Sequence, residues 1–459
     1  MDKSMTMKIA AIAVVIVVIA AACVVFINNS GRDKTDAEIN SPLMVRGNAD
    51  NNYKIDSNDM KIVEDIISES KSLKDYPLAD VNNDGDVNDT DKQILQDMLD
   101  HKSGITVYVQ SLDRDGNETT VPVQYPLRNV VTYATNMEMP TLYAGGGEYV
   151  AGYFTKSYDS AQASVASTAR DLEGSQRQIT DASWANFTKL DSDLQSSGGI
   201  GAFLVDYSGI AQITKSRYSD LQAAGIPMLC YKSADASVES STVITLSYLF
   251  GEKTEKTGAQ YAELTDKVKS EIDKKLGNLS ESEKKSYIAF TMYIYICGSE
   301  STFASTGQSA YGKYYTEVNA DFKAKYDGDG STKMEAVEAL SNYTDVDVLI
   351  NNRSIDWVAD ADAANKIIVS TWEHSNKGVP STEYFKGFED KLIYVNNLLP
   401  GPAKLAYTAA ALYGEHFTYE WANGILQECI DMGLTPLKGY TIEQVVPYFD
   451  NTAYKAAKS

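Results

Sequence analysis

The sequence predicts an α/β protein of two lobes joined by a single long helix, with a small all-α module and an apolar amino-terminal helix in front. Three observations carry this. Thr257 to Gly277, TGAQYAELTDKVKSEIDKKLG, is polar except for Tyr261, Leu264, Val268, Ile272 and Leu276, which fall at three- and four-residue spacing on one helical face. On each side of it lie roughly 130 to 180 residues that alternate short apolar strands with amphipathic segments, each about the size of one domain. Ahead of both lobes, two oxygen-rich loops recur 32 residues apart, each followed by an apolar-periodic helix.

At the amino terminus, Ile9 to Ile27 is an unbroken apolar run of 19 residues, enough to reach across a hydrocarbon core as a helix. Lys3 and Lys8 precede it and the acidic bulk follows, which places the short terminus inside and the rest outside. The expectation is a retained membrane anchor over residues 1–30. A cleaved signal peptide at Ala20-Ala21-Ala22 and a lipid-bearing Cys23 are the alternatives. Residues 31–44 read as a polar linker. The 63 acidic and 41 basic residues leave a net charge of −22, a field that repels nucleic acid and anionic lipid. Four scattered cysteines show no metal or redox spacing, and seven Asn-x-Ser/Thr sequons are compatible with export.

Residues 45–103 hold the loop–helix repeat. In the second loop, Asp80, Asn82, Asp84, Asn88 and Asp91 put side-chain oxygens at positions 1, 3, 5, 9 and 12, Gly85 permits the bend, and the Asp86 carbonyl adds a main-chain ligand at position 7. That is the hard-oxygen set calcium requires. The first loop repeats it with Asn48, Asp50, Asn52, the Lys54 carbonyl, Asp56 and Asp59, but has Tyr53 where glycine is expected. The pair resembles a type I dockerin, an EF-hand-like module. The resemblance implies that these residues bind calcium and that the module recruits a cohesin-type partner. Asp113-Arg114-Asp115-Gly116-Asn117 reads as a hairpin turn between ITVYVQSL and TTVPVQYP.

Residues 104–256 form the first lobe: RNVVTYATNME, then AGGGEYVAGYF, then IGAFLVDYSG, then a helix stopped near Gly225-Ile226-Pro227 and a further strand. Residues 257–277 are the linking helix, with Thr257 and Gln260 as a capping box at its start and Gly277 as a left-handed stop. Residues 278–459 repeat the pattern with YIAFTMYIYICGSESTF, VDVLINNRS and DKLIYVNNLLPGPAKLAY. In open α/β sheets ligands gather at the carboxyl ends of strands. That rule selects Thr135, Asn136, Tyr207, Tyr231 and Lys232 from the first lobe and Ser299, Asn351, Arg353 and Asn396 from the second.

Taken in order, Tyr125-Pro126-Leu127-Arg128-Asn129-Val130-Val131, Ala223-Ala224-Gly225-Ile226-Pro227, Leu249-Phe250-Gly251 and Leu392-Ile393-Tyr394-Val395-Asn396-Asn397 resemble the class III periplasmic substrate-binding proteins. The resemblance spans about 105 to 440. It implies two Rossmann-like lobes that close on an iron siderophore, haem or cobalamin and pass it to an ABC permease from outside the membrane. A surface scaffold or adhesion protein built on the calcium module is the alternative. No nucleophile elbow or phosphate loop occurs, and His101, His374 and His416 lack metal spacing, so no enzyme is expected.

Overall fold

The computed structural model describes residues 41–133, 135–155, 177–180, 184–233, 236–294, 302–305, 314, 317–322, 331–334, 345–353, 355, 357–373 and 387–459. The apolar amino-terminal run, Cys297 and Ser299 lie outside them.

The two loop–helix units repeat in geometry as well as in sequence. Helix α1 (Ser57–Ile67) and helix α2 (Asp89–Leu99) start from Asp56 and Asn88, and each start is closed by a reciprocal capping box with Asp59 or Asp91. Asn51 and Asn83 occupy the same loop position and both sit at φ 59°. Gly85 is left-handed at φ 99°, whereas Tyr53 does not adopt positive φ, so the first loop turns without the residue a glycine would supply. Ile62, Val63, Leu95 and Met98 are buried in a core shared with Val107 and Val109 of the following hairpin.

That hairpin is β1 (Ile105–Leu112) paired antiparallel with β2 (Glu118–Tyr125). Residues 44–46 run beside β1, with Arg46 N donating to the Tyr108 carbonyl and Gln110 N to the Met44 carbonyl. Met44 N also donates to Thr245 Oγ1. Ser41 to Met44 are therefore packed and mostly buried rather than a spacer, because Leu43 and Met44 carry the apolar surface that fastens the module to the first lobe.

The first lobe has a five-stranded parallel sheet in the order β5-β4-β3-β6-β7, formed by β3 (Val130–Tyr133), β4 (Val150–Thr155), β5 (Arg177–Thr180), β6 (Ala202–Asp206) and β7 (Met228–Tyr231). Strand order reverses beside β3, the crossover pattern of a doubly wound sheet. Helix α3 (Thr135–Tyr143) follows β3, α4 (Trp184–Leu194) follows β5 and α5 (Lys215–Ala223) follows β6. Side chains alternate between two faces. Val131, Phe203, Val205 and Cys230 join Phe187, Leu190 and Leu221 in one core, while Val130, Ala202, Leu204 and Leu229 join the central core.

Helix α6 (Ala236–Phe250) leads into the linking helix α7 (Glu252–Leu276). The apolar stripe read from the sequence is buried along its length. Its ends differ from expectation. The helix begins five residues before Thr257, from Gly251 at φ 108°, because Gly251 makes the turn out of α6, and Gly277 closes it at a right-handed φ of −62°. Gly258 lies against α6 so closely that a Cβ would stand 2.7 Å from Ser247 Cβ.

The second lobe's sheet runs β11-β9-β8-β12-β13-β14, with β10 paired to β8. Its members are β8 (Ser286–Ile294), β9 (Thr302–Ser305), β10 (Asp321–Phe322), β11 (Ser331–Met334), β12 (Val348–Arg353), β13 (Leu392–Asn396) and β14 (Tyr448–Asp450). The β10, β8, β12 and β13 set is parallel, and β9, β11 and β14 pair antiparallel at the flanks. Helices α8 (Ala361–Glu373), α9 (Gly401–Leu412), α10 (Tyr419–Asp431), α11 (Ile442–Val445) and α12 (Asn451–Lys458) complete it. Trp372 of α8 packs with Tyr394 and Phe449 on one sheet face, and α9 lies on the other against α7.

Candidate functional site

Helix α6 starts just beyond the carboxyl end of β7, and α9 just beyond the carboxyl end of β13, so both helix starts come from the strand ends where ligands gather. They meet at the seam between the lobes. Glu239, in the first turn of α6, is 4% exposed. Its Oε1 accepts from Tyr261 Oη of α7 and from the Gly401 backbone N–H of α9, each at 3.1 Å. Its Oε2 accepts a very short bond from Tyr314 Oη. Gly401 is required here, since a Cβ would come within 2.3 Å of the Glu239 carboxylate. Tyr143, at the end of α3, donates to the Leu398 carbonyl at 2.5 Å and adds a second tie across the seam.

Lys404 is one turn into α9 and 9% exposed. Its Nζ sits 4.6 Å from the centre of the Tyr314 ring. Burial lowers its pKa below the ordinary lysine value, against the opposing charge of Glu239. Glu239 is the sole charge in α6 and Lys404 the sole charge in α9, a signal that reading the strand ends alone passes over.

The residues chosen from the strand ends divide. Tyr207 and Lys232 come together, with the Lys232 ammonium 5.5 Å from the Tyr207 ring centre. The hairpin turn closes over Tyr207, and Gly116, at φ 86°, is the residue type that fits, because a Cβ would lie 2.4 Å from Tyr207 Oη. Asp206, just before, is buried and accepts from Ser233 Oγ at 2.8 Å. Tyr231 points into the central core with none of its surface exposed, since it faces the opposite side of β7 from Cys230. Asn396 is fully buried and committed to the fold: its Oδ1 accepts from Ile355 N and Leu398 N, and its Nδ2 donates to the carbonyls of Ile355 and Val445. Asn351 is 9% exposed within β12. Thr135 and Asn136 open α3 and Arg353 ends β12, with their side chains outside the described residues.

In the loop–helix module the carboxylates organise the backbone. Asp91 accepts from Val81 N, Asn82 N and Asn88 N, and Asp80 from Asp84 N and Gly85 N. Asp59 accepts from Asp50 N and Asp56 N in the first loop, as Asp91 does in the second. Asn48 is fully buried, with Oδ1 accepting from Asn52 N and Nδ2 donating to the Leu43 and Asn52 carbonyls. Arg46 Nη1 stands 3.5 Å from Asp80 Oδ2, both side chains buried, and donates to the Pro77 and Asp80 carbonyls. Among the described residues no three His, Cys, Asp or Glu side chains gather as a metal site. The donor set is nonetheless all oxygen, with Asn, Asp and carbonyl contributions, and suits a hard cation. Burial raises the pKa of Asp91 and of Asp59, the last to about 6, and that of Asp80 against the opposing charge of Arg46.

No family model matches the chain, and no curated protein matches it. Among solved structures it is similar to the TroA-like periplasmic binding protein FepB from Veillonella parvula, at 13% identity and a TM-score of 0.54 over 74% of this chain and 99% of that one. It is also similar to MolA of Haemophilus influenzae bound to molybdate, at 10% identity and a TM-score of 0.48 over 71% of this chain and 97% of that one. A third is Helicobacter pylori CeuE with Ni(II) bound, at 12% identity and a TM-score of 0.46 over 73% of this chain and 98% of that one. The first likeness shows the fold: mixed α/β with parallel sheets, as in a periplasmic binding protein.

Proposed function

We propose that the chain is an extracellular substrate-binding protein of an ABC importer, which holds an iron chelate, haem or corrinoid between its lobes and delivers it to a permease. The observation that carries this reading is the pair of sheets whose carboxyl-end connections, α6 and α9, meet along a single linking helix, in a fold shared with a periplasmic binding protein. Tyr207 and Lys232 offer a flat ring and a cation at one rim, and Arg353 at the end of β12 brings a planar fork suited to a carboxylate. Residues 1–30 would tether the protein to the membrane. That rests on sequence, since among the described residues no helix is long and apolar enough to cross one.

The test is the absorption and mass spectrum of purified residues 41–459, followed by thermal shift with haem, cobalamin and ferric siderophores. A bound chromophore or a stabilising chelate is expected. A colourless protein that none of these stabilises would remove the importer reading. Arg353→Ala is expected to weaken chelate binding about tenfold or more, the loss of one charge-assisted pair.

Calcium is the ion we assign to the module, held by Asp80, Asn82, Asp84, Asp86, Asn88 and Asp91 and by their first-loop counterparts. Its role here is to neutralise and brace a unit that is packed on the lobe. The scaffold alternative has these loops in its favour. Against it stands the packing of residues 41–46 and α2 into the hairpin and α6, which makes the module part of the lobe's own core. Calcium-dependent capture of a cohesin domain, with no small ligand bound, would favour the scaffold.

A further inference from the structure

We propose that Lys404 is an anion anchor at the seam between the lobes, receiving a carboxylate, catecholate or phosphate oxygen of the bound molecule. This rests on the substrate-binding reading and names the group in the site that takes the ligand's charge.

A buried ammonium is costly unless an acceptor or counter-ion holds it. Lys404 has neither among the described residues: no hydrogen bond from Nζ and no ion pair within 4.0 Å, only the face of the Tyr314 ring. Glu239 is near enough to be felt electrostatically. Its two oxygens accept instead from Tyr261, Gly401 and Tyr314, and no hydrogen bond or ion pair joins them to the Lys404 ammonium. Tyr314 spends its hydroxyl on Glu239 and presents its ring to Lys404, which holds the ammonium apart from the carboxylate. The amine also lies in the first turns of α9, whose positive end adds to its attraction for an anion. Lys404 keeps 9% of its surface exposed, so the position is not sealed. In a molecule of net charge −22, a cation held without a partner where the lobes meet is a specific point for an anionic ligand.

The experiment compares wild type, Lys404→Met and the double variant Lys404→Met with Glu239→Gln. The double variant removes both charges while a glutamine keeps an acceptor for Tyr261 and Gly401, so it folds even where the single variant leaves Glu239 uncompensated. Melting temperature is read with sodium citrate, inorganic phosphate and ferric citrate as probes. At least one probe is expected to raise the wild-type melting temperature with an apparent affinity at least tenfold tighter than for the double variant. Stabilisation by ferric citrate that is equal in wild type and double variant overturns the anchor and leaves the importer reading standing. Stabilisation of wild type alone by citrate or phosphate, with nothing gained from iron, keeps the anchor and counts against an iron chelate. Absence of stabilisation by every probe overturns the anchor.

Discussion

At the residue scale, Glu239 shows how one side chain joins two lobes. Removing its carboxylate takes the acceptor from two buried hydroxyls, on Tyr261 and Tyr314, and leaves the Gly401 N–H with Tyr261 Oη alone. Glu239→Ala is therefore expected to destabilise by about 3–5 kcal/mol, the range for removing one member of a buried charged network. Glu239→Gln, which keeps acceptor capacity, should cost less than half of that. Chemical denaturation measures both, and equal losses would mean that the contacts around Glu239 do not carry the stability. Asp59 supplies a pH signature. Burial raises its folded pKa to about 6 from an ordinary 3.8, while the backbone N–H donors of Asp56 and Asp50 oppose the shift. A carboxyl that holds its proton more tightly when folded contributes stability that is full below the unfolded pKa and is lost as pH rises through about 6. The loss is at most about 3 kcal/mol. In EDTA, the melting temperature is expected to fall between pH 4 and 6, and Asp59→Asn should flatten that slope. A profile with the same slope in both proteins would remove Asp59 as its source.

At the scale of elements, the loop–helix module and the linking helix each make a checkable claim. The module's core is continuous with β1 and α6, so loss of calcium is expected to lower the stability of the first lobe along with the module. Hydrogen exchange with and without EDTA reads this out. Faster exchange confined to residues 45–103, with β1 and α6 unchanged, would show an independent module. For the linking helix, Gly258 is the closest approach to α6, with the space for a Cβ already filled by Ser247. Gly258→Ala gains helix propensity but overpacks this contact, and a net loss of about 1–3 kcal/mol is expected. A stabilised variant would mean that α6 and α7 can part at little cost.

At the scale of the whole molecule, α7 runs 25 residues between the lobes and is fastened at both ends. Lys267 pairs with Glu428 of α10, Glu271 accepts from Trp421 Nε1, and the Glu239 and Tyr143 contacts tie the seam beside it. Closure on a ligand is therefore expected to be a small rocking motion rather than a wide hinge. Solution scattering with and without a stabilising ligand tests this, and a large change in the radius of gyration would refute a rigid strut.

The sequence by itself determined the layout: two strand–helix lobes, the hairpin turn at 113–117, the apolar stripe of the linking helix and the 32-residue loop repeat. These follow from local periodicity and turn chemistry, which act within a few residues and are written in neighbouring positions. It did not determine which polar residues at strand ends face a ligand. Tyr231 and Asn396 stand at strand ends as Tyr207 does, yet the first fills a core and the second caps three backbone segments. The face a strand end presents is decided by register and by what packs above it, and those partners lie far away in sequence. For the same reason only the tertiary structure set Lys404 beside Tyr314 and Glu239, 90 and 165 positions back along the chain. Their sequence trace was a single charge in each of two otherwise uncharged helices, and what made it matter was the burial that packing those helices together imposed.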